Sequence, residues 1–186
     1  LKIFGKHNLL NISGAKWVCQ LMGVEEDDFY QAISNFNGAK KRLERIASVD
    51  NSCLLNDFAH SPSKVRASID AVKNQFHKLK LIACLELHTF SSLDLEYMNQ
   101  YRDSLNKVDF PIIFYNPSTL KISDSNFISD ETIKKAFNDF RIIIFTNTKK
   151  LEDYLSSKEY KNSVLLMMSS GNFGDINMKI LKNKFK

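Results

Sequence analysis

The sequence predicts an α/β fold: a Rossmann-like, mostly parallel sheet with helices on both faces, an antiparallel edge hairpin, and two helices ahead of it. Three observations carry this. Short apolar runs such as Leu81-Ile82-Ala83-Cys84-Leu85 and Ile142-Ile143-Ile144 alternate with amphipathic stretches, as doubly buried strands alternate with crossover helices. The runs Leu43 to Val49 and Ser52 to Leu55 are joined by Asp50-Asn51 alone, a good hairpin turn. From Asn8 to Phe36 the residues carry helical spacing and no strand signal.

In order, Leu1 to Phe4 reads as a strand end and Gly5 to Asn8 as a turn. Asn8 to Met22 reads as a helix with Leu9, Ile12, Ala15, Cys19 and Met22 on one face, stopped by Gly23. Glu25 to Phe36 is a second helix, with acids in its first turn favouring the helix dipole. The Gly38-Ala39-Lys40-Lys41-Arg42 stretch breaks the pattern and marks a domain boundary. The hairpin follows, then Asn56-Asp57-Phe58-Ala59-His60-Ser61-Pro62, and a helix from Ser63 to Phe76. Proline suits a first helical turn, where its missing N–H has no intrahelical partner to lose. Beyond lie strands at Lys80 to Leu87, Phe110 to Tyr115, Arg141 to Phe145 and Ser163 to Met168. Helices are expected at Leu93 to Leu105, Ser129 to Phe137 with Ser129 as cap, around Leu151 to Leu155, and at Asn177 to Phe185.

A chain of 186 residues, 44% hydrophobic and 25% charged, fits one full domain, with room for a piece of another. No apolar run approaches the roughly 20 residues of a membrane span, no signal peptide is visible, and a membrane partner is not expected. Leu1 is not a start methionine, so the chain is expected to begin part-way through something or to follow processing. Net charge is +5, from 26 basic and 21 acidic residues. The excess is spread along the chain, which suits anionic small substrates and gives no basic stripe for nucleic acid. Lys179, Lys182, Lys184 and Lys186 read as a solvated helix face. Cys19, Cys53 and Cys84 match no zinc spacing and sit among apolar residues, which points to a reducing, cytoplasmic setting.

The Asn56–Pro62 stretch gathers a carboxylate, an imidazole and a hydroxyl at the carboxyl end of a strand, where open α/β sheets bind ligands. It reads as a site for a nucleotide or phosphate beside a helix N-terminus, or as a capped turn with a surface histidine. His7 and Asn11 lie one helical turn apart. With Asn8 they form a set able to read a base edge, or Asn8 simply caps the helix. Arg42 is placed to clamp a phosphate or stack on a ribose or base, or is solvated with its neighbours. Glu86, His88 and Thr89 end a buried strand at the same edge. With Asp57 and His60 they lack the tight spacing of a metal site, and none is expected. Ser169, Ser170, Gly171, Asn172, Phe173 and Gly174 form a loop open to close backbone approach, suited to a carboxylate. Walker, G-x-G-x-x-G and G-x-S-x-G patterns are absent.

Taken in order, four stretches resemble the Mur ligases, the ATP-dependent amino-acid ligases of peptidoglycan synthesis and recycling. Gly5 to Asn11 is similar to the family's G-x-H-N-x-x-N, and Phe36 to Glu44 to F-x-G-x-K-R-R-x-E. Asn56 to Pro62 is similar to D-D-[FY]-[AG]-H-H-P, and Met168 to Gly174 to M-S-N-G-x-F-G. The resemblance implies that residues 1–38 end an ATP-binding central domain and residues 39–186 form the Mur ligase C-terminal domain. It implies His7, Asn8 and Asn11 around adenine, and Arg42 and Asp57 on the ribose and phosphate side. His60 and Ser61 would lie near the phosphates and the reacting carboxyl group. Ser169 to Phe173 would hold the incoming amine, with Glu86 and His88 as further substrate contacts. ATP and Mg²⁺ are implied, the metal held mainly by upstream residues. UDP-N-acetylmuramate is the implied carboxylate. The branch most resembled adds a recovered L-alanyl-γ-D-glutamyl-meso-diaminopimelate tripeptide, with the L-alanine ligase as the alternative. By its residues alone the chain also fits a non-catalytic nucleotide-binding module. Lys41, Asn56 and Ser61 depart from the pattern, and Leu87-His88-Thr89-Phe90 departs from the usual L-E-P-R-S. With the phosphate-gripping loop upstream, the chain alone is expected to be inactive.

Overall fold

The computed structural model describes residues 3–117 and 128–185. Its centre is a six-stranded sheet in the order β1-β2-β6-β3-β4-β5. The strands are β1 (Glu44–Val49), β2 (Ser52–Asp57), β3 (Lys80–Glu86), β4 (Phe110–Phe114), β5 (Ile143–Phe145) and β6 (Ser163–Met168). β1 pairs antiparallel with β2, and every other pairing is parallel. The edge hairpin and the parallel sheet therefore stand as expected.

The helices are α1 (Lys6–Leu21), α2 (Glu26–Ile33), α3 (Pro62–Gln75), α4 (Leu95–Met98), α5 (Asp130–Phe137), α6 (Thr148–Ser157) and α7 (Met178–Asn183). Their apolar faces divide between two cores. Val65, Ile69 and Val72 of α3, Met98 of α4 and Ile133 and Phe137 of α5 pack on one side of the sheet. Leu151 and Leu155 of α6 and Leu181 of α7 pack on the other. Alternate strand residues serve the two sides: Cys53 and Leu55 face the first core and Leu54 the second, as a period of two requires.

This division has a topological consequence. From β2 the chain crosses by α3 to β3, builds outward to β5, and returns by α6 to β6 between β2 and β3. The segment leaving β2 runs to α3 on one face, and the segment leaving neighbouring β6 runs to α7 on the other. Two adjacent parallel strands whose continuations diverge open a crevice at their carboxyl ends, the usual ligand position in such sheets.

Three expectations need correction. Leu93 to Leu105 is not one helix. It is a 3₁₀ turn (Phe90–Leu93), the single turn of α4 and a second 3₁₀ turn (Asn99–Tyr101). The Arg66 guanidinium takes the carbonyls of Gln100 and Arg102 at 2.6 and 2.9 Å, and Asp103 adopts φ 61°, so the backbone turns out of helix there. The face expected to be buried on α1 is largely open: Leu9 is 48% and Met22 79% exposed, and Asn8 is the buried residue of the helix. At the amino end, Leu1 and Lys2 lie outside the described residues, and Ile3 and Phe4 are not in a strand. Phe4 instead packs edge-on against Phe76 at 5.6 Å, seating α1 beside α3.

Candidate active site

α1 begins two residues before the expected helix start because Gly5 is its cap, at φ 94° and ψ 133°, a conformation that glycine alone adopts without strain. A Cβ there would also meet the Ala71 Cβ at 2.9 Å. Asn8 is therefore inside the helix and is not its cap. Its Nδ2 donates to the Phe4 carbonyl at 2.9 Å. With capping excluded, His7, Asn8 and Asn11 form one helical face, and all three line a cavity of about 440 Å³.

The opposite wall is the start of α3, with Ser63, Lys64, Ala67 and Ser68, and the floor holds Asp57 and Ala59. Arg42 enters from the 38–43 segment ahead of β1, its guanidinium 5.2 Å over the Phe58 ring. The Asp57 carboxylate is buried and shaped by neighbours. It accepts from Ser68 Oγ at 2.6 Å and from the Ala59 N–H at 3.1 Å. Asp57 is thus held by hydrogen bonds at the end of β2, as a charge this deep requires. Ser68 was not singled out from the sequence. Its signal is a hydroxyl at the i+3 position of Val65, on the helix stripe otherwise filled by Val65, Ile69 and Val72.

A second cavity of about 230 Å³ opens across the strand end, lined by Lys41, Asn56, Ser169, Gly171, Asn172, Phe173 and the start of the α7 segment. The 38–43 segment and β2 each contribute one residue to either side. Arg42 and Asp57 face the first cavity, and Lys41 and Asn56 the second.

The loop after β6 is set by Glu86. This carboxylate is 2% exposed, accepts from Ser169 Oγ, and accepts from the Phe173 N–H at 2.9 Å. Its other oxygen lies 3.4 Å from His88 Nδ1. Ser169 Oγ in turn accepts from the Gly171 N–H at 2.7 Å. A side chain at Gly171 would meet the His88 ring at 2.5 Å, so the close approach that the sequence suggested is made against His88. Glu86 is therefore enclosed within the fold, positioning Ser169 and Phe173, while His88 stands at the loop's outer side. Ser170 lines neither cavity.

His60 and Ser61 also line neither cavity. His60 Nδ1 lies 2.8 Å from the Phe58 carbonyl, which can only accept, so the proton is on Nδ1 and Nε2 is left as the acceptor. The His60 carbonyl accepts from the Tyr101 hydroxyl, whose proton is firmly held because burial pushes that phenol well above its ordinary range. Ser61 precedes α3 without a side-chain capping bond.

Among the described residues, no group of three or more His, Cys, Asp or Glu converges as a metal site, and no helix is long and apolar enough to cross a membrane. Asp57, the carboxylate of the first cavity, already serves Ser68 and Ala59. The residues here fit a nucleotide better than a metal ion.

No protein-family model matches the chain. A UDP-N-acetylmuramate–L-alanine ligase of Agathobacter rectalis is 26% identical over 98% of this chain and 39% of its own length. Among solved structures, the UDP-N-acetylmuramate-alanine ligase MurC of Thermotoga maritima superposes with a TM-score of 0.76 at 17% identity, covering 98% of this chain and 39% of that one. The fold is that of a Mur ligase C-terminal domain. A murein peptide ligase of Psychrobacter arcticus shares this Mur ligase fold at TM-score 0.62 and 20% identity, over 98% of this chain and 38% of that one. A MurF ligase of Thermotoga maritima, solved in complex with ADP, shares it at TM-score 0.59 and 16% identity, over 97% and 38%. The chain spans about two-fifths of the length of the curated Mur ligases it matches, 39% and 40% for two of them.

Proposed function

We propose that the chain is the C-terminal part of an ATP-dependent Mur ligase that joins an amine to the carboxylate of UDP-N-acetylmuramate. The observation that carries this is the pair of cavities that meet at the carboxyl end of β2, one between α1 and α3 and fit for a nucleotide, the other toward the loop after β6 and fit for a small polar amine, with the hinge contributing to both. In the first, the amides of Asn8 and Asn11 and the His7 ring meet adenine, and Arg42 and Lys64 meet the ribose and phosphates. In the second, Ser169, Gly171, Asn172 and Phe173 hold the amine, in a loop kept in place by Glu86. His60 and Ser61 act toward the phosphates and reacting carboxyl group when the site is closed.

ATP supplies a phosphoryl group that makes the carboxylate an acyl phosphate; the amine then attacks the acyl carbon, the amide bond forms and inorganic phosphate leaves as the C–O bond breaks. The part of this chain is to orient the amine and exclude water from that mixed anhydride. Mg²⁺ would be held mainly by residues outside this chain. Residues 1–38 belong in this reading to the central domain and residues 39–186 to the C-terminal domain. The positive φ values of Gly38, Lys41 and Leu43, at 95°, 54° and 48°, support a hinge between them. The exposed Trp17, Leu21 and Met22 on α1 support a role for that helix outside the sheet domain's core. ATP use and buried thiols fit a cytoplasmic enzyme.

Two amines are compatible with this reading. L-alanine is supported by the sequence similarity to L-alanine ligases. The recovered tripeptide is supported by the Lys40-Lys41-Arg42-Leu43-Glu44 and Ser169–Gly174 patterns. Phosphate release by the complete polypeptide, given ATP, Mg²⁺ and UDP-N-acetylmuramate with one amine or the other, tests both. Release with L-alanine alone assigns biosynthesis, and release with tripeptide alone assigns recycling. Absence of both, with ADP bound, removes the substrate assignment. Absence of ADP binding removes the ligase reading.

A further inference from the structure

Lys41 departs from the Mur pattern and has the most divided set of partners at the hinge. Its backbone is left-handed, at φ 54°, which a lysine holds only against a local cost. Three bonds hold it there, each to a different segment. Its N–H donates to Glu44 Oε2 at 2.9 Å, at the start of β1. Its carbonyl accepts from the Phe58 N–H at 2.8 Å, in the turn that floors the first cavity. Its Nζ donates to the Gly171 carbonyl at 2.9 Å, in the loop that lines the second. The next residue, Arg42, covers the Phe58 ring and reaches into the first cavity.

We propose that Lys41 is a positioning residue that couples the nucleotide cavity to the 169–173 amine loop. This rests on the ligase reading above. An anion that draws in Arg42 acts on the Phe58 turn and, through the Phe58 N–H, on the Lys41 backbone. That backbone carries the Nζ that anchors Gly171. Gly171 is tied through its own N–H to Ser169, and so to Glu86. The Lys41 bond thus adds a tether from the hinge to a loop that Glu86, the Asp57 carbonyl and Thr148 hold from the sheet and from α6. Nucleotide binding should order the amine loop, and by reciprocity the bound amine should tighten nucleotide binding.

The test is hydrogen exchange on the complete polypeptide, with and without ADP and Mg²⁺, for wild type, Lys41→Met and Lys41→Arg. In the wild type, ADP should slow exchange at residues 170–174 by about threefold or more. Lys41→Met should bind ADP within about threefold of wild type yet show no such slowing, and Lys41→Arg, which keeps a donor, should restore it. Exchange in β3 and β4 should be unchanged, which separates positioning from general destabilisation. If Lys41→Met unfolds the hinge, Lys41→Ala, which also lacks a side-chain donor, replaces it in the same comparison. Wild type that binds ADP without slowing at 170–174, or a Lys41→Met variant that keeps the slowing, overturns the coupling alone. Wild type that binds no ADP overturns the ligase reading and the coupling with it.

Discussion

Glu86 and Asp57 show how single charged residues are placed at this edge. Each is a carboxylate under 4% exposed at the end of a central strand, and each accepts from a serine hydroxyl and a backbone N–H. Such bonds to a buried charge are each worth about 1.5–3 kcal/mol. Glu86→Gln should therefore lower unfolding stability by about 1–3 kcal/mol in denaturant titration and speed exchange at residues 169–174. Arg42→Ala should weaken ADP binding by about tenfold in calorimetry, and Arg42→Lys should recover only part of it, because a lysine keeps the charge but loses the planar fork. The thiols report burial directly. Burial pushes Cys53 up to about 11 despite nearby Arg45, and pushes Cys84 well above its ordinary range, with Glu86 adding to the effect. At pH 8, a thiol reagent should label half-buried Cys19 in the native chain, and Cys53 and Cys84 only after unfolding. The sequence had placed all three thiols in apolar surroundings, which holds most fully for the two in strands.

At the scale of elements, α1 has two determinants of different origin. Its helical spacing was legible, but its start was not. Asn8 is a good capping residue by type, and only the packing of Phe4 on Phe76 and of Gly5 on Ala71 moves the cap to Gly5. Gly5→Ala combines a left-handed backbone with a 2.9 Å contact, so it should cost about 1–3 kcal/mol of stability and reduce ADP affinity through misplaced Asn8 and Asn11. Parallel measurements of denaturant midpoint and ADP binding would check both. The region expected to be a helix from Leu93 to Leu105 failed for the reverse reason. Its local spacing is helical, but Arg66 from α3 claims its carbonyls, a tertiary contact with no local sign. Strand β6 and the Ser129 cap were read correctly, since a run of six buried apolar-facing positions and a serine accepting from the Thr132 N–H are local matters.

For the molecule as a whole, acid stability depends in part on the seam between β3 and β4. Asp109 accepts from the Leu81 N–H at 2.8 Å and from Lys73 at 2.6 Å. Partial burial pushes its carboxyl up, but the Leu81 and Lys73 bonds outweigh this and hold it below its ordinary value. A depressed carboxyl stabilises the fold above its unfolded-state value and loses that contribution as pH falls through the folded-state value. The melting temperature of Asp109→Asn should therefore lie below wild type at pH 7, and the gap should close as pH falls through and below the ordinary carboxylate range. The isolated chain should not turn over ATP with any amine, because its first cavity offers Asp57 as the sole lining carboxylate. Steady phosphate release by the purified 186-residue chain would overturn this.

The sequence by itself determined the α/β class, the hairpin, the strand set and the loops that carry the site, because those depend on periodicity and on turn residues within a few positions. One of its open choices closed only in three dimensions: Asn8 lies inside α1 and is not its cap, and Asp57 adds a bond from Ser68 to its local bond from the Ala59 N–H. The tertiary structure alone decided the strand order, and with it the insertion of β6 between β2 and β3. That insertion joins residues more than 100 positions apart, Lys41 to Gly171 and Asp57 to Ser169. The physical reason is that long-range pairing is selected by the burial of two sheet faces at once, a condition on the whole chain that no local window contains.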